Sequence, residues 1–255
     1  DLDGSYDESA AVHIQLEGET AVCDSDAVSI DGSRITLLDE GTYLVSGALT
    51  DGQIVVDAGD TDKVQIVLAS ASLTCADSAA IYSKSADKVF LTLAEGTENT
   101  LTNGGSYTAI DKNNIDSVVF SKTDLTLNGS GSLTIDAQAG HGVVSKDELT
   151  ITGGSYTVTA AEHGMTGKDS LAVAGGDFTI ISGKDGLHAE NADDSALGFL
   201  YVADGTFTIT AQGDAVSASG ALQVDGGTFD LTTGGGSASV TMTTGDSFAP
   251  GGMGG

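Results

Sequence analysis

His141-Gly142-Val143-Val144-Ser145-Lys146-Asp147-Glu148-Leu149-Thr150-Ile151-Thr152-Gly153-Gly154-Ser155-Tyr156 is followed by a second copy of its own pattern. That copy is His163-Gly164-Met165-Thr166-Gly167-Lys168-Asp169-Ser170-Leu171-Ala172-Val173-Ala174-Gly175-Gly176-Asp177-Phe178, displaced by 163 − 141 = 22 residues. A third copy starts at Asp185-Gly186-Leu187, again 185 − 163 = 22 residues on, and a fourth at Asp214-Ala215-Val216. The last step is 214 − 185 = 29 residues, lengthened by a loop containing Asn191 to Gly198. Each unit holds three short runs of alternating apolar and polar residues separated by turn residues, and no helical period appears. Three strands per repeat of this length describe one coil of a parallel β-helix. Weaker copies run upstream through Ser117–Phe120, Ala80–Tyr82, Gln53–Val55 and Ala27–Ile30. The expected fold is therefore all-β: a right-handed, single-stranded parallel β-helix of about nine coils, each of three short strands.

Composition supports this and narrows function. Glycine supplies 36 of 255 residues, enough for a turn-rich chain, while a single proline and no tryptophan exclude a collagen or a proline-rich linker. Acidic residues exceed basic ones by 37 − 9 = 28. That charge argues against a nucleic-acid partner and against docking on anionic lipid. No apolar run is long enough to span a membrane. No signal segment is present and the first residue is Asp1, which is compatible with a removed leader and with an extracellular or cell-surface location. A monomer is expected. Residues 1–24 should cap the first coil, 25–236 form the helix, and the Gly-rich 237–255 should be flexible.

Alternation assigns faces. Ile81, Val143, Met165, Leu187 and Val216 should point inward. Their neighbours should point out as a column of pairs: Tyr82/Lys84, Phe120/Lys122, Val144/Lys146, Thr166/Lys168, His188/Glu190 and Ser217/Ser219. Four of the eight lysines thus stack on one face of an acidic chain. Aromatic rings beside them suit sugar faces, and ammonium groups suit acidic substituents. Tyr82, Lys84, Phe120, Lys122, Lys146, Lys168 and His188 are the candidate carbohydrate-binding residues.

Stacked coils also bring acids together. Asp147, Asp169 and Asn191 share one position, Glu162, Asp185 and Asp214 crowd the other end of the strand, and Glu190, Asp193 and Asp194 join them. Carboxylates at this spacing repel unless a cation sits among them, and oxygen-only donors suit calcium. Asp147, Glu162, Asp169, Asp185, Glu190, Asn191, Asp193 and Asp194 are the candidate metal residues. Transition-metal ligation or a base role is open to His141, His163 and His188, and the two turn histidines His141 and His163 are read as surface residues. Two cysteines, Cys23 and Cys75, cannot build a disulfide framework or a four-ligand zinc site. Placed on corresponding strands two coils apart, about 9.6 Å, they exceed the reach of a disulfide and should be free thiols. No nucleophile elbow, phosphate loop or Cys-x-x-Cys motif is present.

Two groups of motifs then resemble a known family. They are Ser83-Lys84-Ser85-Ala86-Asp87-Lys88-Val89 with Gly96-Thr97-Glu98-Asn99-Thr100-Leu101, and Val144-Ser145-Lys146-Asp147, Gly167-Lys168-Asp169-Ser170 and Asp185-Gly186-Leu187-His188-Ala189-Glu190-Asn191. In order, over residues 1–236, they resemble the bacterial carbohydrate-binding β-helix domains, which are related in fold to family-nine polysaccharide lyases. The resemblance implies an extracellular, calcium-containing module that binds acidic plant polysaccharide such as polygalacturonate, and cellulose. The chain departs from that family at Glu162-His163-Gly164 and Gly140-His141-Gly142, where Asp-Asp-Gly is common. A polyuronate lyase using calcium and a lysine base, Lys146 or Lys168, is the enzyme alternative. A structural or adhesive rod is the other.

Overall fold

A computed structural model of the chain describes residues 3–108 and 111–234. The Gly-rich stretch 237–255, expected to be flexible, lies outside the described residues. Parallel strands stacked in register make a β-helix, and no described residue lies in a helix. No helix among the described residues is therefore long and apolar enough to cross a membrane.

One column of strands runs Gln53–Asp57, Ile81–Ser85, Ser117–Ser121, His141–Ser145, Met165–Gly167, Leu187–Ala189 and Val216–Ala218. These belong to a nine-stranded sheet that begins with the hairpin Val28–Asp31 and Arg34–Leu37. The other two faces are one continuous sheet, because strand Lys63–Cys75 turns a corner. Its first half pairs with Lys88–Leu93 and its second with Glu98–Asn103. The bend falls at Ser70, whose φ of 61° lies in the left-handed region, and Asn99 Oδ1 accepts the Ala71 amide N–H at 2.9 Å beside it. Val12–Gly18 pairs in parallel with Gly41–Leu49 and antiparallel with Ala21–Val22.

The core is a set of ladders, one side chain per coil. Leu125, Leu149, Leu171 and Leu200 stack through their paired strands and are 0–2% exposed. The aromatic of each repeat, Tyr156, Phe178, Phe207 and Phe229, forms a second ladder with ring centroids 5.3, 4.8 and 4.7 Å apart. The Gly of each His/Asp-Gly step is required by packing. A Cβ at Gly164 would lie 2.6 Å from both the Gly186 carbonyl oxygen and Ile180 Cγ2. The same residue donates its N–H to the Asp185 carbonyl at 2.9 Å.

Both cysteines are free, as expected. Their placement differs from the expected one. Cys23 follows an antiparallel hairpin strand, so the two do not occupy corresponding strands two coils apart. A parallel-only reading of the repeat missed that reversal.

Candidate functional site

The outward column is in the expected register. Tyr82 pairs with Phe120, Phe120 with Val144, Val144 with Thr166, Thr166 with His188, and His188 with Ser217. The lysines follow in step: the N–H groups of Lys122, Lys146 and Lys168 donate to the carbonyls of Ser83, Ser121 and Ser145.

Tyr82 and Phe120, however, are 0% and 1% exposed and offer no ring face to a ligand. The segment after Asn103 folds back over them, so that Ile115 and Tyr107 pack against Tyr82, Phe120, Val55 and Val144. The Tyr82 hydroxyl donates to Asp111 Oδ2 at 2.6 Å and its oxygen accepts from Asn113 Nδ2 at 2.7 Å. The stacking platform expected from alternation is a buried satellite core. A signal for this existed: Ile81 and Val119 occupy matching positions yet lie 119 − 81 = 38 residues apart, well beyond the 22-residue beat.

The lysine file is also answered by acids. Lys84 Nζ lies 2.6 Å from Asp57, Lys146 Nζ lies 4.0 Å from Asp116 and 5.2 Å over the Phe120 ring, and Lys168 Nζ lies 2.7 Å from Asp193. The Asp193 carboxylate raises the pKa of Lys168, the reverse of what a proton-abstracting lysine needs. Where the inserted segment meets the file, an open groove of about 690 Å³ is lined by Lys84, Lys112, Lys122, Asn113, Thr123 and Asp60, among others. Lys112 and Asn113 were absent from the sequence-derived set because only the fold brings them to Lys84 and Lys122.

The metal candidates separate into two groups. Asp147, Asp169 and Asn191 stack in one column: the Asp169 N–H donates to the Asp147 carbonyl at 3.1 Å and Asn191 Nδ2 to Asp169 Oδ1 at 2.6 Å. Burial, then the neighbouring Asp124 and Asp169, push the Asp147 carboxyl above its ordinary value. Asp193 and Asp194 adjoin this column through N–H bonds to Asn191 Oδ1, both at 2.9 Å.

Glu162, Asp185 and Glu190 instead meet the histidines. Glu162 lies 3.1 Å from His141 Nε2 and 3.0 Å from Lys184 Nζ. Asp185 Oδ2 lies 3.5 Å from His163 Nδ1 and 2.9 Å from His188 Nδ1, and Glu190 lies 3.3 Å from His188 Nε2. The three rings stack, His141 on His163 with centroids 5.1 Å apart and His163 on His188 at 4.0 Å. Reading His141 and His163 as surface histidines was wrong: only 14% and 15% of their side chains are exposed, and 12% of His188. The rings of successive coils face each other, and His163 lies between the other two. Burial holds the pKa of His141 and of His163 at about 4. His163, Asp185 and His188 place one ligand atom each within 4.8 Å of one another, a group able to hold a metal ion.

A family model described as carbohydrate-binding domain-containing protein matches residues 31–255. A carbohydrate-binding domain-containing protein of Acetivibrio thermocellus is 37% identical over 137 residues, which are 53% of this chain and 48% of that one. The chain spans about half the length of this curated relative. A solved structure of a polysaccharide lyase-like protein from C. thermocellum, a gadolinium derivative, superposes with a TM-score of 0.78 at 33% identity. That match covers 88% of this chain and 94% of the other.

Proposed function

Because the chain belongs to the carbohydrate-binding domain family, we propose that it is a non-catalytic module holding an acidic, polygalacturonate-like polysaccharide. The observation that carries this reading is the groove around Lys84, Lys112 and Lys122. In a chain of net charge −28, three ammonium groups at one opening, beside Asp60 and Asp111 and with Lys84 paired to Asp57, make a local patch near charge balance on an otherwise acidic surface. Asn113 and Thr123 add hydrogen-bonding partners for sugar hydroxyls. A long polymer can lie along the stacked coils, whose repeat of about 4.8 Å sets the spacing of successive contacts. An extracellular or cell-surface setting, where such polymers occur, accompanies this reading.

Calcium is the cation that a set of hard oxygen donors such as the acid column favours. Asp124, Asp147 and Asp169 offer hard oxygen donors from three adjacent coils, with Asn191 beside them. Calcium should stabilise the fold by about 4 kcal/mol at 1,000 times Kd, raising the melting temperature beyond what sodium chloride does at equal ionic strength. Asp147→Asn removes one of the mutually repelling carboxylates. It should raise stability in chelator and shrink the calcium increment. Identical melting curves in calcium, sodium and chelator would leave the column a solvated rim.

Binding is tested by titrating polygalacturonate and a neutral glucan into the protein. The acidic polymer should bind more tightly, with affinity falling as salt rises. A Lys84→Ala/Lys112→Ala/Lys122→Ala variant should lose at least tenfold, and unchanged affinity there sinks the groove. The same mixture with calcium should develop no unsaturated-uronate absorbance, because Lys168 is bound to Asp193. A steady rise that vanishes in Lys168→Ala would establish the lyase instead.

A further inference from the structure

We propose that His163, Asp185 and His188 form a binding site for a divalent transition-metal ion, separate from the oxygen-only acid column. The three belong to two adjacent coils, since Met165 of one pairs with Leu187 of the next. Their ligand atoms lie within 4.8 Å of one another, the stacked His163 and His188 rings must tilt apart for both lone pairs to meet one ion, and 12–16% of each side chain is exposed. Two imidazoles and one carboxylate are a donor set suited to zinc, copper, nickel or ferrous iron rather than calcium.

His188 supplies the most specific sign. Its Nδ1 is buried and makes no hydrogen bond, although Asp185 Oδ2 is only 2.9 Å away. Its Nε2 meets Glu190 at 3.3 Å. With the ring proton on Nε2 and donated to Glu190, Nδ1 and the Asp185 oxygen stand 2.9 Å apart as two acceptors with no donor between them. A cation between them removes that conflict, and a carboxylate on the far ring nitrogen is the usual partner of a metal-bound histidine. Asp185 is oriented in the same way: its Oδ1 accepts the Asp214 N–H at 2.8 Å, leaving Oδ2 for the metal. His163 Nδ1 accepts the Asp185 N–H at 3.1 Å, and coordination replaces that bond. The remaining coordination positions are left for water or an oxygen group of a ligand.

Zinc alone is the probe, added to metal-free protein at pH 7 without polysaccharide, so the result is independent of the binding function proposed above. Calorimetry should show one equivalent that a tenfold excess of calcium does not displace. Long-range ¹H–¹⁵N spectra should show the ring nitrogens of His163 and His188 shifting while those of exposed His13 stay in place. His188→Ala should weaken zinc at least tenfold, and Asp147→Asn, in the acid column, should leave it unchanged. Zinc that calcium displaces, or that leaves both ring signals unmoved, overturns the site. The spectra of the unmodified protein decide the matter even where His188→Ala fails to fold.

Discussion

The metal-free protein is expected to lose about 3 kcal/mol of stability per histidine as pH falls from 6.5 to about 4. His141 and His163 are the source. Burial holds both at about 4 in the fold, whereas in the unfolded chain they protonate near 6.5. Above pH 6.5 both states are neutral and nothing is lost. Between the two values the unfolded chain takes up protons that the folded one refuses, so stability falls. Below about 4 the loss is complete and levels off. Asp116 and Asp147, raised mainly by burial, act with the opposite sign and stabilise the fold as they protonate. The control must therefore leave the carboxylates in place. His141→Asn/His163→Asn does so. His163 Nδ1 accepts the Asp185 N–H at 3.1 Å in the position where Asp185 Oδ1 accepts the Asp214 N–H at 2.8 Å, so a short side-chain oxygen can do the same work. Denaturant titrations at pH 7.5 and 4 should show the large loss in the parent and a much smaller one in the double variant. Equal losses in both would clear the histidines of any part in acid sensitivity.

Phe178→Ala should cost about 3–5 kcal/mol, through lost burial and an uncollapsed cavity between two rigid neighbours. Phe178 is 2% exposed, with Tyr156 stacked on one side at 5.3 Å and Phe207 on the other at 4.8 Å. Ring-on-ring contact adds about 0.5–1.5 kcal/mol per pair beyond burial. The paired strands of both neighbouring coils hold their rings in place, so neither can slide into the gap. At this chain length the change corresponds to a fall of about 10 °C in melting temperature. Thr179→Ala, one residue along and exposed, should stay within about 0.5 kcal/mol. A melting temperature for Phe178→Ala within 2 °C of the parent, on the order of one kcal/mol, would show that the aromatic ladder contributes little.

The register of the outward column was legible by counting from Val144 through Thr166 to His188, and upstream of it from the recurring motifs. A 22-residue beat with period-2 alternation places Leu149 and Leu171 in one column. It also leaves His163 and Asp185 one coil apart at the same turn, and requires a glycine after each. What the count could not supply is what lies against an outward-facing residue. Alternation separates inside from outside for one coil. It says nothing of a segment that returns over the outside, as the stretch after Asn103 does over Tyr82 and Phe120.

Repeat, strand order, core ladders and the gathering of acids by coil were thus determined by the sequence itself, because each follows from residues at fixed spacing along the chain. The covered aromatics, the groove of Lys84, Lys112 and Lys122, and the convergence of His188 on His163 and Asp185 were decided only by the tertiary structure. In each of these the contacting groups come from different columns or from an inserted loop. Their distances depend on how side chains turn and how the loop packs, and those are settled by close packing in three dimensions, not by period.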